Sequence, residues 1–331
     1  VFEYTDLVNT YSMPIYANYD GSLTIRNCRF KARCSKVTGG DGNVYSVDKK
    51  LRTTFDSCQF INCGNDQSQY IIRVKSAEAS LQLIGCTFTF DDATKSCKVF
   101  YLDSSDTIVD RCTFVKCGPQ TLNINLNTDN NNEGIFQLTN NIVENNNNKF
   151  IEINNLMSKP VISGNIFRDI TLSGYFIAIT HNIDEISLYN NTFSRFTTSG
   201  TSVTFGGSIG SWYQRSSQTE ETTIIYEKCN FYNLTNGFTD SPFNQGGAIQ
   251  YGHSSSISNA ILIFQHCEFI GNKCQNGKGG ALAISINKNL EVSDCIFDEC
   301  ENANNRCFNI VKQAATQFTF ENNVIQNMIA R

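Results

Sequence analysis

Hydrolysis and elimination need acids and bases that converge, so the carboxylates and histidines are the first residues to weigh. Asp91 and Asp92 are adjacent. Neighbours on a strand point to opposite faces, and this pair follows Phe90 where a turn is expected. Asp184 and Glu185 follow His181 closely, and a solvated turn accounts for them as well as a catalytic triplet would. Arg73-Val74-Lys75 offers two cations on one strand face, and Asp103 or Asp106 could approach Arg73 if the chain doubles back. The three histidines, His181, His253 and His266, share no metal-ligand spacing. Cys58/Cys63, Cys112/Cys117 and Cys295/Cys300 have a spacing that zinc could use. That spacing recurs along the chain, which marks the positions as structural first. A Gly-rich phosphate loop and a Ser-His-Asp arrangement are not visible. The expectation is a protein with no catalytic constellation, no cofactor and no metal.

Charge and hydropathy narrow the classes further. The 331 residues carry 26 Lys+Arg against 31 Asp+Glu, a net charge of −5. A nucleic-acid binder would need clustered basic charge, so nucleic acid is not an expected partner. No apolar run is long enough for a transmembrane helix. The chain begins at Val1 without a basic segment and apolar core, so no secretion signal is visible.

What must position any site is a repeat. Cys28-Arg29-Phe30 recurs as Cys58-Gln59-Phe60, Cys86-Thr87-Phe88 and Cys112-Thr113-Phe114. The Cys then becomes Asn in Asn141-Ile142-Val143, Asn165-Ile166-Phe167 and Asn191-Thr192-Phe193. It returns in Cys229-Asn230-Phe231, Cys267-Glu268-Phe269 and Cys295-Ile296-Phe297, and a degenerate copy is Asn323-Val324-Ile325. Of the ten intervals between these eleven copies, eight are 24 to 30 residues. That is too short for a propeller blade of ~40 residues. The flanks alternate apolar and polar and are rich in β-branched and aromatic residues, with Asn, Gly, Ser and Asp between them. The fold expected is all-β: a single-stranded parallel β-helix of about eleven coils stacked at the ~4.8 Å spacing of paired strands. Residues two apart on a strand share a face, so Cys/Asn and Phe should both point inward as two ladders. One domain, 1–331, is expected, with 1–20 as a possible N-terminal cap. The two 38-residue intervals call for inserted loops at 210–221 and 236–245. The first holds Trp212 and Tyr213, a candidate binding pair.

In the C-terminal half, Phe269-Ile270-Gly271-Asn272 is followed by Gly279-Gly280-Ala281-Leu282, and Phe231-Tyr232-Asn233 by Gly246-Gly247-Ala248-Ile249. Over about residues 190 to 300 this resembles the GGA[ILV] and FxxN repeats of the chlamydial polymorphic membrane proteins and similar surface proteins of parasitic protists. The resemblance implies a right-handed β-helix, exposure at a cell surface and a role in adhesion. The family's C-terminal β-barrel is not seen in this chain. The paired glycines read as tight corners with positive φ. Arg73-Val74-Lys75 resembles the R-x-K of pectin-degrading hydrolases, but it precedes the Asp pair and no Gly-His-Gly accompanies it.

Five coils carry a second Cys shortly after the first: Cys28/Cys34, Cys58/Cys63, Cys112/Cys117, Cys267/Cys274 and Cys295/Cys300. The coils with Asn at the first position lack it. This joint occurrence points to disulfides within a coil and hence to a secreted, oxidising setting. A reduced ladder of small buried thiols, or bridges between stacked coils, are the alternatives. Asn190 and Asn233 open N-x-[ST] sequons and are candidate glycosylation sites. The function expected is a non-enzymatic extracellular or cell-surface adhesin, spacer or building block. Its expected partners are protein or glycan, with end-to-end self-assembly possible. A carbohydrate-active enzyme and an intracellular component with reduced cysteines are the alternatives.

Overall fold

The structure is a computed structural model. It describes residues 2–4, 15–32, 42–63, 70–76, 78–91, 98–104, 106–117, 121–126, 135–147, 149–156, 159–172, 176–181, 184–198, 211–215, 221–237, 246–251, 260–275, 279–286, 288–302, 306–312 and 317–327. Among the described residues every regular element is a β-strand, and every strand pairing in register is parallel. No helix among them is long and apolar enough to cross a membrane.

One coil shows the plan. The leading strand Leu51–Asp56 turns Leu51, Thr53 and Phe55 inward and Arg52, Thr54 and Asp56 outward, as a two-residue period requires. Ser57, at φ 56°, makes the corner. The motif strand Gln59–Ile61 then buries Phe60, and a third strand, Tyr70–Val74, completes the circuit.

Two compact units divide the chain: 1–161 with 179–181, and 162–178 with 182–331. In the first, the motif strands run in parallel order from Phe2–Tyr4 through Arg29–Ala32, Gln59–Ile61, Thr87–Thr89 and Thr113–Val115 to Ile142–Glu144. In the second, Ile166–Leu172, Thr192–Thr198, Asn230–Tyr232, Glu268–Ile270, Ile296–Asp298 and Val324–Gln326 pair likewise. Leading and third strands stack beside them in each unit. Phe2–Tyr4 and Ile15–Ala17 pair with the next coil. Of the expected N-terminal cap, 1 and 5–14 lie outside the described residues.

The corner before the ladder residue is left-handed throughout. Asn27, Ser57, Gly85, Arg111 and Asn140 adopt positive φ in the first unit, and Gly164, Asn190, Lys228, His266, Asp294 and Asn322 in the second. For a residue with a Cβ this conformation costs ~1–2 kcal/mol. Backbone bonds to the next coil offset it: Ser57 N–H donates to Ile84 O at 2.8 Å and Lys228 N–H to Gln265 O at 2.9 Å.

The ladder explains why Cys and Asn exchange. Each donates to a carbonyl of the preceding coil's leading strand. Cys58 Sγ reaches Ile25 O at 3.4 Å, Cys86 Phe55 O at 3.4 Å and Cys112 Leu83 O at 3.4 Å. Asn141 Nδ2 reaches Val109 O at 2.9 Å, and Asn191 Nδ2 reaches Ile162 O at 2.9 Å. The Asn side chain adds an acceptor: Cys112 N–H donates to Asn141 Oδ1 at 2.8 Å. A second ladder lies five residues on. Cys63, Cys117 and Cys300 donate to Phe30, Phe88 and Phe269 carbonyls. Asn272 does the same toward Phe231 O at 2.9 Å.

This geometry corrects the disulfide expectation. The described cysteines Cys28, Cys58, Cys63, Cys112, Cys117, Cys267, Cys274, Cys295 and Cys300 are free thiols. Cys58 and Cys63 sit on separate ladders and point at separate carbonyls, and the same holds for Cys112/Cys117 and Cys295/Cys300. Cys274 is not a second-ladder residue at all: Asn272 holds that place, and Cys274 is level with Asn236 and Asn302. Cys34 lies outside the described residues.

The second interior feature is aromatic. Phe30, Phe60, Phe88 and Phe114 stack at centroid distances of 5.0, 4.5 and 5.1 Å. Val143 stands next in register, so the ring column of that unit ends at Phe114, which meets Phe150 edge-on. In the other unit Phe167, Phe193, Phe231, Phe269 and Phe297 stack at 5.0, 5.4, 4.5 and 4.8 Å. In the last described coil, Phe318, Phe320 and Ile325 stand in register with buried Leu290, Val292 and Phe297, yet are 44%, 36% and 47% exposed.

The glycine pairs serve a different purpose from the one expected. None of Gly246, Gly247, Gly279 and Gly280 has positive φ. A Cβ on Gly247 would lie 1.6 Å from Gly280 O, and one on Gly280 2.3 Å from Glu301 N. They are glycines because backbone packs on backbone there. The expected loop at 210–221 contains a strand, Ser211–Arg215. Of 236–245 only 236 and 237 are described, and Asn236 is buried with Nδ2 on Gly246 O at 2.8 Å.

Phe114→Ala should lower stability by ~3–5 kcal/mol in chemical denaturation, since it removes a fully buried ring from a close-packed column. A second test concerns protons. Burial pushes the Cys229 thiol up from 9.0 to about 12. The folded state then holds a proton that the unfolded state releases. Its stabilising contribution is full below pH 9 and falls as pH rises towards 12. Cys229→Asn, which keeps the ladder donor and removes the proton, should flatten the alkaline limb of a urea-midpoint-versus-pH curve.

Candidate functional site

The third strands of the first unit carry rings and cations on their outward side, with Tyr16 exposed and Tyr70, Arg73, Lys98 and Tyr101 half-buried. Inward residues there are apolar: Tyr45, Ile72 and Phe100 are in register, as are Val47, Val74 and Leu102, and all are fully buried. The residues between them form a column in register, with Tyr16, Arg73, Tyr101, Asn123 and Glu152 outward and Ser46 level with Tyr16 and Arg73 along the backbone. A neighbouring column sets Lys98 against Tyr70.

The rings and charges are coupled. Tyr70 and Tyr101 have centroids 5.2 Å apart. Arg73 lies over the Tyr101 ring at 5.6 Å, and Lys98 Nζ over the Tyr70 ring at 5.1 Å. Both are within the range of a cation–π attraction. Lys149 Nζ is 2.9 Å from Glu152 Oε1, and Lys75 Nζ is 3.7 Å from Asp48 Oδ1. Tyr16, 51% exposed, donates its hydroxyl to Asp48 Oδ2 at 2.9 Å. Burial lowers the Lys98 pKa below the lysine range, with Glu152 pulling it back up, and burial followed by the Tyr101 hydroxyl raises that of Tyr70. Among the described side chains of this face, Arg73, Lys75, Lys98 and Lys149 stand with Asp48 and Glu152.

Such a face can bind. Flat rings cover apolar ligand surface, and Arg and Lys meet carboxylate, sulfate or phosphate oxygens. Arg73 is level with Tyr101, and Asp103 lies two residues further along that strand. Asp106 belongs to a leading strand, where Oδ1 accepts from Ile135 N–H at 3.0 Å. Asp91 is engaged with Asn62, accepting from Nδ2 at 2.7 Å and donating its N–H to Oδ1 at 2.9 Å. His266 is an exposed corner residue. Among the described residues no group of three or more His, Cys, Asp or Glu could hold a metal.

Residues 13–193 match the family model described as a right-handed β-helix region. The chain belongs to the right-handed β-helix family. The match takes in seven leading strands, from Gly21–Arg26 to Glu185–Tyr189, and includes the whole Tyr/Arg/Lys face. It ends where the GGA[ILV] and FxxN repeats begin. Searches of curated proteins and of solved structures found no match.

The other residues singled out from sequence are scattered. Asn190 and Asn233 are exposed, each at a left-handed corner. The side chains of Trp212, Tyr213 and His181, together with Asp92 and His253, lie outside the described residues. Sequence reasoning missed Tyr70, Lys98 and Tyr101. Aligning Tyr70-Ile71-Ile72-Arg73 under Lys98-Val99-Phe100-Tyr101, as the coil repeat places them, would have found them.

The Lys98 ammonium should titrate below the ordinary lysine range in an NMR side-chain titration. Glu152→Gln should lower its midpoint further, because the carboxylate supports the charge.

Proposed function

We propose that this protein is a non-enzymatic β-helix acting outside the cell or at its surface. In this reading it is an adhesin or spacer that engages protein or glycan partners through the third-strand face of its first unit. The observation that carries the proposal is the register of Tyr16, Arg73 and Tyr101 beside Tyr70 and Lys98. Tyrosine and arginine dominate binding hot spots because they combine area, rigidity and directed polarity. A partner lying along this face meets a ring or a cation at each coil. The surface location rests on the resemblance of residues 190 to 300 to the chlamydial and protist repeats, and the exposed sequons at Asn190 and Asn233 are compatible with it.

The test is binding to glycan and protein arrays by wild type and by Tyr101→Ala and Arg73→Gln, with circular dichroism to check the fold. The expected result is saturable binding weakened at least about tenfold by each substitution, as loss of a hot-spot side chain predicts, with no shortening of any glycan. Depolymerisation that Arg73→Ala abolishes would move the protein to the carbohydrate-active class.

A second reading has an observation of its own. The described cysteines are free, and the ladder thiols are satisfied by carbonyls, as an intracellular structural component would keep them. A thiol count on denatured protein taken directly from its source decides the matter. All 14 free favours the intracellular reading, and paired cysteines favour the extracellular one. A building-block role through end-to-end self-association belongs to the same proposal. Sedimentation of the chain over a wide concentration range should then show self-association.

A further inference from the structure

One thiol lies off both ladders, and it meets a second-ladder thiol of its own coil. Cys300 is level with Asn272, whose Nδ2 lies 3.7 Å from its Sγ. Cys307 is level with Ala281, which donates its N–H to Cys307 O at 2.8 Å. Cys300 precedes the strand Glu301–Asn302, and Cys307 precedes Phe308–Lys312. Arg306 N–H donates to Asn302 Oδ1 at 2.7 Å and ties the two segments. Gly280 of the preceding coil touches both: its N–H donates to Arg306 O at 2.8 Å, and a Cβ on it would lie 2.7 Å from Cys300 C. On this shared support the Cys300 and Cys307 side chains hydrogen-bond to each other.

Two comparisons single out this pair. Cys267 and Cys295 also adjoin, but along the axis, and each serves a carbonyl of the preceding coil, Tyr226 O at 3.2 Å and Phe264 O at 3.5 Å. Joining those sulfurs would strip donors from two buried acceptors, whereas joining Cys300 to Cys307 takes one, from Phe269 O. Cys117 occupies the second ladder as Cys300 does, yet in its coil the buried residue before the third strand is Thr121, and no described sulfur adjoins it.

We propose that Cys300 and Cys307 form a disulfide that clamps this corner within one coil, while the described ladder cysteines stay thiols. The oxidant is a small-molecule or protein disulfide, for which oxidised glutathione serves as the probe. Cys300 loses the first proton because its sulfur accepts from the Cys307 thiol; that contact, and then burial, hold the Cys307 pKa above the thiol range. The Cys300 thiolate attacks one sulfur of oxidised glutathione, forming a mixed disulfide and releasing one glutathione thiolate. Cys307 then gives up its proton and attacks the Cys300 sulfur, which expels the second glutathione. Two protein thiols are oxidised, one glutathione disulfide is reduced to two thiols, and the two protons pass to the glutathione sulfurs. Both protein sulfurs are buried, so the exchange takes place during folding or in a local opening of this corner.

Peptide mapping tests the pairing. The full chain is refolded from denaturant with reduced and oxidised glutathione, quenched with acid, alkylated and digested with trypsin without reduction. Cleavage after Lys288, Arg306 and Lys312 should give peptide 289–306 joined to 307–312, lighter by two hydrogens than the two reduced peptides. Peptide 289–306 also holds Cys295, so variants assign the bond. Cys295→Asn, with the residue that ladder uses elsewhere, should keep the joined product. Cys300→Asn and Cys307→Ala, each matching the residue level with it in the preceding coil, should fold by circular dichroism and lose the product. Oxidised wild type should have a higher urea midpoint than reduced wild type, and Cys307→Ala should show no such difference. Alkylated Cys300 and Cys307 in refolded protein would overturn the proposal, as would a Cys295–Cys307 or Cys295–Cys300 bond.

Discussion

Each coil exposes, three residues before its ladder position, a carbonyl that turns inward at the first corner and has no partner within its own strand. The next coil must supply a small donor there, and Cys or Asn does so at Ile25, Phe55, Leu83, Val109, Ile162 and Leu188. A buried acceptor left unsatisfied costs ~1–3 kcal/mol. The requirement therefore fixes the axial register more sharply than apolar contact alone. Once that donor is placed, the left-handed corner before it and the Phe two residues after it have little freedom.

The same requirement accounts for what could be read in the sequence and what could not. The C-x-F copies, the stacking of coils and the inward Phe column were legible because identity at fixed spacing signals a shared environment. The left-handed corner was not. Arg111, Lys228, His266 and Asp294 occupy it beside Asn and Gly, and their side chains point to solvent, so tertiary pairing overrides local preference. The disulfide inference failed for a related reason. Cys columns that come and go together read as partners, but the second ladder repeats the first ladder's task on a different carbonyl, as Cys63 and Cys117 show. The Gly pairs were correctly located and wrongly explained, because chain conformation and crowding by another backbone leave the same mark on a sequence.

At the candidate site, Arg73 and Lys75 attracted notice through a motif and not through the residues beside them. Their actual neighbours, Tyr70, Lys98 and Tyr101, lie in other coils or outside the motif. Outward residues are under no ladder constraint, so their types vary from coil to coil and no periodic signal betrays them. Only the register imposed from inside brings Tyr101 level with Arg73.

The ladder also bears on how such a chain can change length. Removing residues 86–111 would bring Cys112 to the position Cys86 now holds, facing Phe55 O with an equivalent donor, while Phe114 would meet Phe60 in place of Phe88. Both new contacts are of the kind they replace. Whole coils are thus interchangeable units of inheritance: unequal recombination between copies yields a shorter or longer coil stack with every internal acceptor still served. A gain or loss of one or two residues within the segment from corner to Phe would break the column at once. Selection on such a gene would therefore tolerate changes in coil number and loop length far more readily than small indels within the motif.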